Sequence, residues 1–261
     1  LSFFTIANGQ NFWDDWKRDS FAGNGSLNVN VNAGAELAKD IDVQNNGNII
    51  VGGSANFTSA NEQVMITRVL PNGVPDSSFG SNGIFSQSFG TKITFIEAIQ
   101  VLSSGDIIAA GGYGISNVDQ QPFICKVNSS GQLDLSFGTN GFQIISNPAS
   151  ATDSWTTSMQ VLNNGNIMLA GTINNNSGPN TSDIFQLMLD SMGNIDSSFG
   201  TNGYMIHDIF ESDHLLCLEK SFDGGYIGGG STRNEALSIE SYALIKFDSN
   251  GLKDSSFAIN G

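Results

Sequence analysis

Five phenylalanines set the terms for this chain. Phe21, Phe79, Phe137, Phe199 and Phe257 are separated by 58, 58, 62 and 58 residues. A fixed period of this length is the mark of stacked copies of one supersecondary unit. Each ring sits in nearly the same phrase: "VPDSSFGSNGIF" from Val74, "QLDLSFGTNGFQ" from Gln132, "NIDSSFGTNGYM" from Asn194 and "LKDSSFAING" from Leu252. A worn version, "KRDSFAGNGSL", begins at Lys17. Turn glycines keep step, with Gly47, Gly105, Gly165 and Gly224 in one set and Gly73, Gly131, Gly193 and Gly251 in another. The copies run over about 26–83, 84–141, 142–203 and 204–261.

Inside a copy the apolar period is two rather than 3.6, so the segments read as strands. The first ("KDIDVQ", "EAIQVL", "TSMQVL", "CLEKS") places Ile41, Ile99, Met159 and Leu218 beside Asp42, Gln100, Gln160 and Glu219. A turn with Asn-Gly, Ser-Gly or Asp-Gly follows, read here as a two-residue hairpin loop that needs positive φ. The second segment ("NIIVGG", "DIIAAGG", "NIMLAG", "GYIGGG") ends in small residues, which in a strand signal close approach of another backbone. A third segment precedes the phrase and a fourth ("SLNVNV", "GIFSQSF", "GFQIIS", "GYMIHDI") follows it. No copy holds a helical face. Four short strands per unit, repeated, predict an all-β chain of four-stranded antiparallel blades, a β-propeller. A parallel β-helix has much shorter coils, and roughly 60 residues are few for a sandwich module.

The phrase then has a physical reading. Asp76, Asp134, Asp196 and Asp254, each with a Ser two residues on, accept backbone N–H bonds and tie a loop that lacks a ladder. The phenylalanine is the large apolar group of that loop and plugs the gap between adjacent blades. Calcium at these aspartates is the weaker reading, since one carboxylate per phrase falls far short of six to eight oxygens.

The motif, its spacing and the "NGNIIVGG"-type strand resemble the delta-60 repeat, a family of propeller-like repeats of large exported bacterial proteins. The resemblance covers residues 17–261. It implies an all-β repeat scaffold and brings no active site to transfer. The first copy departs from it with Asp19 shifted by one, and the last with Ala258-Ile259 in place of Gly-Thr.

With 10 basic against 25 acidic residues the net charge is −15, which excludes a basic face for nucleic acid or an anionic membrane surface. The opening "LSFFTIANG", residues 1–9, reads as the tail of a secretory signal peptide, leaving 10–25 as an amino-terminal segment with the worn motif. No other run approaches the about 18 apolar residues of a membrane span. Export is therefore expected. The ring either closes at four blades, with the strand after Gly25 completing the last, or continues in further repeats or a sorting domain of the same polypeptide. Cys125 and Cys217 fall in different columns of the repeat, so both are read as small core residues rather than as a disulfide.

Candidate chemistry is sparse. Arg68, Lys126 and Lys246 share a column, where the third copy has Met188; either the clasp aspartates or the Asp/Gln/Glu column is their partner, or they are solvated surface charges. His207 and His214 lack ligand spacing to each other, and no nucleophile elbow or phosphate loop is present. Loops 54–62, 112–120, 172–182 and 231–241 vary while the strands keep step, and recognition on a rigid scaffold lives in such loops. Trp155 with Asn174, Asn175 and Asn176 forms the candidate ligand loop, while Trp13 and Trp16 read as core caps. The expected function is a non-catalytic exported binding scaffold for a protein or glycan, with no cofactor, metal or catalytic residue. The other reading is a glycan-binding or glycan-acting propeller. An enzyme would place two acidic groups from different blades about 5–10 Å apart in a cleft, and a scaffold only scattered carboxylates around its axis.

Overall fold

The structure is a computed structural model that describes residues 21–258 apart from 24, 30–34, 57–61, 90–91, 115–118, 149–150, 176–180, 235–236 and 238. The readings placed on residues 1–20, including Trp13 and Trp16, on Asn176 and on the side chain of Asn175 lie outside the described residues.

Four antiparallel sheets follow one another along the chain. The first blade is β1 (Leu37–Val43), β2 (Ile49–Ala55), β3 (Gln63–Val69) and β4 (Ile84–Gln87). The second is β5 (Ile93–Val101), β6 (Ile107–Gly114), β7 (Gln121–Val127) and β8 (Phe142–Ile144). The third is β9 (Ala151–Val161), β10 (Ile167–Asn175), β11 (Ser182–Leu189) and β12 (Tyr204–His207). The fourth has three strands, β13 (Ser212–Lys220), β14 (Tyr226–Asn234) and β15 (Ile239–Phe247). Chain order is sheet order in each, and the all-β propeller architecture read from the repeat holds.

Two details differ from the sequence reading. The strand after each phrase pairs back onto the third strand of the same blade, as in Ile66 opposite Phe85 and Phe123 opposite Ile144. Blades are therefore cut one strand later than the copies. Residues 25–29, the start of the fourth-strand segment "SLNVNV", are not in a strand. The turns also exchange roles. Between β1 and β2, Gly47 N donates to Gln44 O and Gln44 N to Asn48 O, a three-residue loop in which the glycine, at φ +83°, takes the left-handed region and Asn46 does not. The two-residue turn with both residues at positive φ is instead inside the phrase: Asn82 at +53° and Gly83 at +92°, closed by reciprocal bonds between Ser81 and Ile84.

First strands lie against one another, β1 on β5, β5 on β9 and β9 on β13, so they line the inside and β4, β8 and β12 the outside. Each first strand carries a bulge at the same register, next to the pairs Ala38–Gly53, Ile96–Gly111, Thr156–Gly171 and Leu215–Gly230. On its inner side such a strand has main-chain groups that its own sheet leaves unpaired. The polar column of the sequence supplies them. Asp40 and Asp42 accept from the Ile99 and Val101 amides at 2.8 and 2.7 Å, Gln100 from the Val161 amide at 2.7 Å, and Gln160 donates to Leu218 O at 3.0 Å.

Three seams of core separate the blades. Ile50, Val64, Ile66, Ile96, Ile99, Phe123 and Cys125 fill the first; Ile108, Ile124, Met159, Leu169 and Phe185 the second; Met168, Ile184, Leu215, Ile245 and Phe247 the third. A phrase phenylalanine enters each: Phe79 and Phe137, 0% and 1% exposed, and half-buried Phe199. Each ring or its neighbour rests on the glycine turn of the next blade. A Cβ on Gly193 would lie 2.6 Å from Phe137 Cζ, and one on Gly251 2.8 Å from Phe199 Cζ. Gly80 N donates to Ser130 O and Gly138 N to Met192 O across the seams, at 2.9 and 2.7 Å.

The worn phrase does the same, Ala22 N donating to Asn72 O beside Gly73. Four of the five phrases thus meet a glycine turn, and half-buried Phe257 has none among the described residues. A ring closed by Phe257 on Gly73 is not what this structure has, because Ala22 already stands there. The far face of the fourth blade is open accordingly. Leu244 is 63% exposed, although Ile66, Ile124 and Gln186 at the same register are fully buried. Cys217 lies on that face and is exposed, not core as expected, while Cys125 is buried; both are free thiols.

Candidate functional site

The two ends of the blades have different occupations. One end carries the glycine hairpins and the phrases, and its polar groups are spent on holding turns. In each clasp one carboxylate oxygen accepts both the backbone N–H and the hydroxyl of the serine two residues on: 3.0 and 2.6 Å for Asp76 with Ser78, 3.1 and 2.6 Å for Asp134 with Ser136. The second oxygen faces the cation column, Arg68 Nε to Asp76 at 2.9 Å, Lys126 Nζ to Asp134 at 2.9 Å and Lys246 Nζ to Asp254 at 3.2 Å. Arg68 also donates to Ser129 O of the next blade at 2.6 Å and lies 4.7 Å over the Phe79 ring. The Ser78 hydroxyl, with Arg68 beside it, holds Asp76 below the ordinary carboxylate range, and Ser136 with Lys126 does so for Asp134. Asp196 keeps its serine, with Met188 in the cation column.

The other end carries the β2–β3 type loops and the connections between blades. Trp155, on β9 opposite Thr172 of β10, is half-buried and lies on the same face of the sheet as Ala170, which packs in the third seam; Thr157, the bulge residue, donates to Leu215 O of the fourth blade at 2.7 Å. Trp155 therefore belongs to the third seam. Asn174 donates to Asp153 at 3.3 Å, and Asp153 accepts the Gln120 amide at 2.6 Å. Burial raises the Asp153 carboxyl above its usual range.

The third seam also gathers carboxylates that sequence reading missed. One oxygen from each of Asp183, at the start of β11, Asp208, in the connection, and Asp213, at the start of β13, lie within 4.8 Å of one another. The preceding serines, Ser182 and Ser212, have their hydroxyls 2.9 Å apart, which pins the two strand starts together. Asp213 is fully buried. Its Oδ2 accepts the Ile209 and Phe210 amides at 2.6 and 3.1 Å, and its Oδ1 has no hydrogen-bond partner. The acidic run "DIFESD" from Asp208 to Asp213, present in one copy alone, was the available signal. A separate open groove of 960 Å³ runs along the outer strand β12, lined by Asn147, Thr201, Tyr204 and His207, and holds none of these carboxylates.

His207 is packed rather than poised for chemistry. Its Nε2 is 2.8 Å from Gln186 Oε1 and its ring 4.9 Å from that of Phe247. Burial, then the charge of Lys253, lowers its pKa from 6.5 to about 4. The folded state thus takes up its proton later than the unfolded chain. The stabilisation from the neutral ring is complete above pH 6.5 and is lost as pH falls towards 4. Urea unfolding of the native protein is expected to show a loss on the order of 3 kcal/mol across that window, which His207→Gln removes. An unchanged pH profile in the variant would contradict the assignment.

A family model described as "Domain of unknown function (DUF5122) beta-propeller" matches residues 44–79, from the β1–β2 turn to the phenylalanine of the first complete phrase. None of the curated proteins matches the chain. Among solved structures, the chain is similar to an endo-arabinase from Bacteroides thetaiotaomicron VPI-5482, with 10% identity, a TM-score of 0.44, and 84% of this chain and 80% of that one covered. It is also similar to PorZ of Porphyromonas gingivalis, described as an essential bacterial surface component of the type-IX secretion system, with 11% identity and a TM-score of 0.41. That match covers 86% of this chain and 28% of PorZ. The expectation of a chain without enzymatic function is corrected here. One of the structures it is similar to is an endo-arabinase. Among the described residues no helix is long and apolar enough to cross a membrane.

Proposed function

We propose that the chain is part of an exported bacterial propeller that recognises a carbohydrate at its loop-bearing end, over the seam between the third and fourth blades. The observation that carries the reading is the cluster of three carboxylates at the loop-bearing end of that seam, with Trp155 on the face of the third blade that turns to the fourth. An indole offers a flat apolar platform for the C–H face of a sugar, and carboxylates accept bonds from its hydroxyls. Export is supported by the pattern of residues 1–9 and by a charge content of only 13%.

A glycan array of plant and bacterial polysaccharides, followed by calorimetry and a reducing-end assay on each hit, tests this. Retention of a defined glycan is expected, weakened at least tenfold by Trp155→Ala and far less by Phe257→Leu at the opposite end. Release of reducing ends would make the site catalytic as well. Retention unaffected by Trp155→Ala would move the site elsewhere, and a blank array would remove the reading.

A further inference from the structure

We propose that Asp183, Asp208 and Asp213 hold a divalent cation, calcium by its tolerance of an irregular all-oxygen site, which joins the third blade to the fourth.

The case starts from Asp213. Two residues ahead of the bulge pair, its register position is occupied in the second and third blades by Thr94 and Ser154. Their hydroxyls donate to the incoming connection, Thr94 Oγ1 to Phe89 O and Ser154 Oγ to Asn147 Oδ1. A neutral hydroxyl therefore suffices to fasten the connection. The fourth blade puts a carboxylate there, buries it completely, and uses one oxygen for the Ile209 and Phe210 amides. The other oxygen is left without a donor. A buried carboxylate oxygen with no partner costs far more than a buried hydroxyl unless a charge answers it. Directly opposite Asp213 in the ladder, the Thr232 hydroxyl oxygen is also buried without a partner. Two orphan oxygens beside two further carboxylates form an all-oxygen donor set, which suits a hard cation.

Coordination habit selects among hard cations. Calcium accepts an irregular set of protein oxygens, whereas magnesium demands near-ideal octahedral geometry and gives up its waters reluctantly. Water and main-chain carbonyls complete the six to eight ligands calcium takes. Asp183 belongs to one blade and Asp213 to the next, and the Ser182–Ser212 bond already fixes their strand starts, so the ion acts as a bolt across the seam.

Calorimetric titration and thermal unfolding of the whole chain in calcium chloride, magnesium chloride and EDTA test the proposal. A dissociation constant of about 10⁻⁴ to 10⁻³ M is expected for calcium, as in extracellular modules. At 10 mM calcium the melting temperature should rise by about 3–10 °C over EDTA, with a smaller rise in magnesium. Asp213→Asn disturbs a buried cap and can fail for folding reasons. Asp208→Asn, on an exposed residue, is the deciding variant and should lose the calcium shift while keeping the EDTA melting temperature. Asp196→Asn, in a clasp, should keep the shift. Equal melting temperatures in calcium and EDTA, or a shift that survives Asp208→Asn, would overturn the site. Calcium binding without glycan retention sinks only the carbohydrate reading, and glycan retention indifferent to calcium sinks only the ion.

Discussion

Phe137→Ala is expected to lower the free energy of unfolding by about 3–5 kcal/mol, the range for emptying a fully buried aromatic site. Phe257→Ala should cost less than about 1 kcal/mol. The two rings sit in the same phrase, so local propensity cannot separate them. Phe137 is closed in by Ala98, Ile108, Ile124, Met159 and Leu187 from two sheets and rests on Gly193 of the next blade. Phe257 has no such turn to meet among the described residues and stays half-buried. Urea unfolding followed by circular dichroism gives both numbers. Equal losses would mean that the phenylalanine stabilises its own loop rather than the seam. Phe199, half-buried against the third-seam core, should fall between them.

The second large effect is Gly131→Ala compared with Gly224→Ala. Both glycines adopt left-handed backbone, at φ +75° and +86°, so an alanine strains each by a similar 1–2 kcal/mol. Their surroundings differ completely. A Cβ at Gly131 would overlap the Gly80 amide nitrogen and lie 3.0 Å from Phe79 Cδ2, whereas nothing stands within 4 Å of one at Gly224. The first substitution must push the clasp off its seat and break the Gly80–Ser130 bond. Overpacking against backbone adds about 1–3 kcal/mol. The excess loss at Gly131 is therefore the energy of the seated clasp, read by chemical denaturation of the two variants side by side.

Much of the fold was legible because each blade must solve the same packing problem. The period, the four strands and the seam phenylalanines follow from equal residues at equal spacing, whereas the column of Arg68, Lys126 and Lys246 left open which carboxylates, if any, it would meet, and the structure gives it the clasp aspartates. The phase of the blades was not legible. The strand after the phrase alternates in the same way whichever neighbour it pairs with, and only the hydrogen bonds from Arg68 to Gly83 and from Asp76 to Arg68 show that the phrase folds the chain back. The turn chemistry misled for a related reason. Asn-Gly at 46–47 and at 82–83 looks alike, yet one asparagine is left-handed and the other is not. Cys217 was read as core from its column, but a column buries a residue only where another blade covers it.

The candidate site was the least legible part. Its carboxylates come from three unequal places, and the register equivalents of Asp213 are Thr94 and Ser154, so no repeat pattern exposes it. Asp208 and Asp213 were visible as an acidic run without any indication that Asp183, some 25 residues earlier, would join them. Trp155 and Asn174, chosen from loop variability, lie at the same end of the molecule, though Asn174 is engaged by Asp153 rather than free for a ligand.

Native-state hydrogen exchange at the amides of Gly80 and Gly138 tests the central idea most directly. Both belong to loop phrases outside any ladder, and both donate across a seam, to Ser130 O and Met192 O. They are expected to exchange only with the opening of the blades, as slowly as the core amides of β6 and β10. Exchange at the rate of an ordinary surface turn would show that the phrase lies on the blades without fastening them.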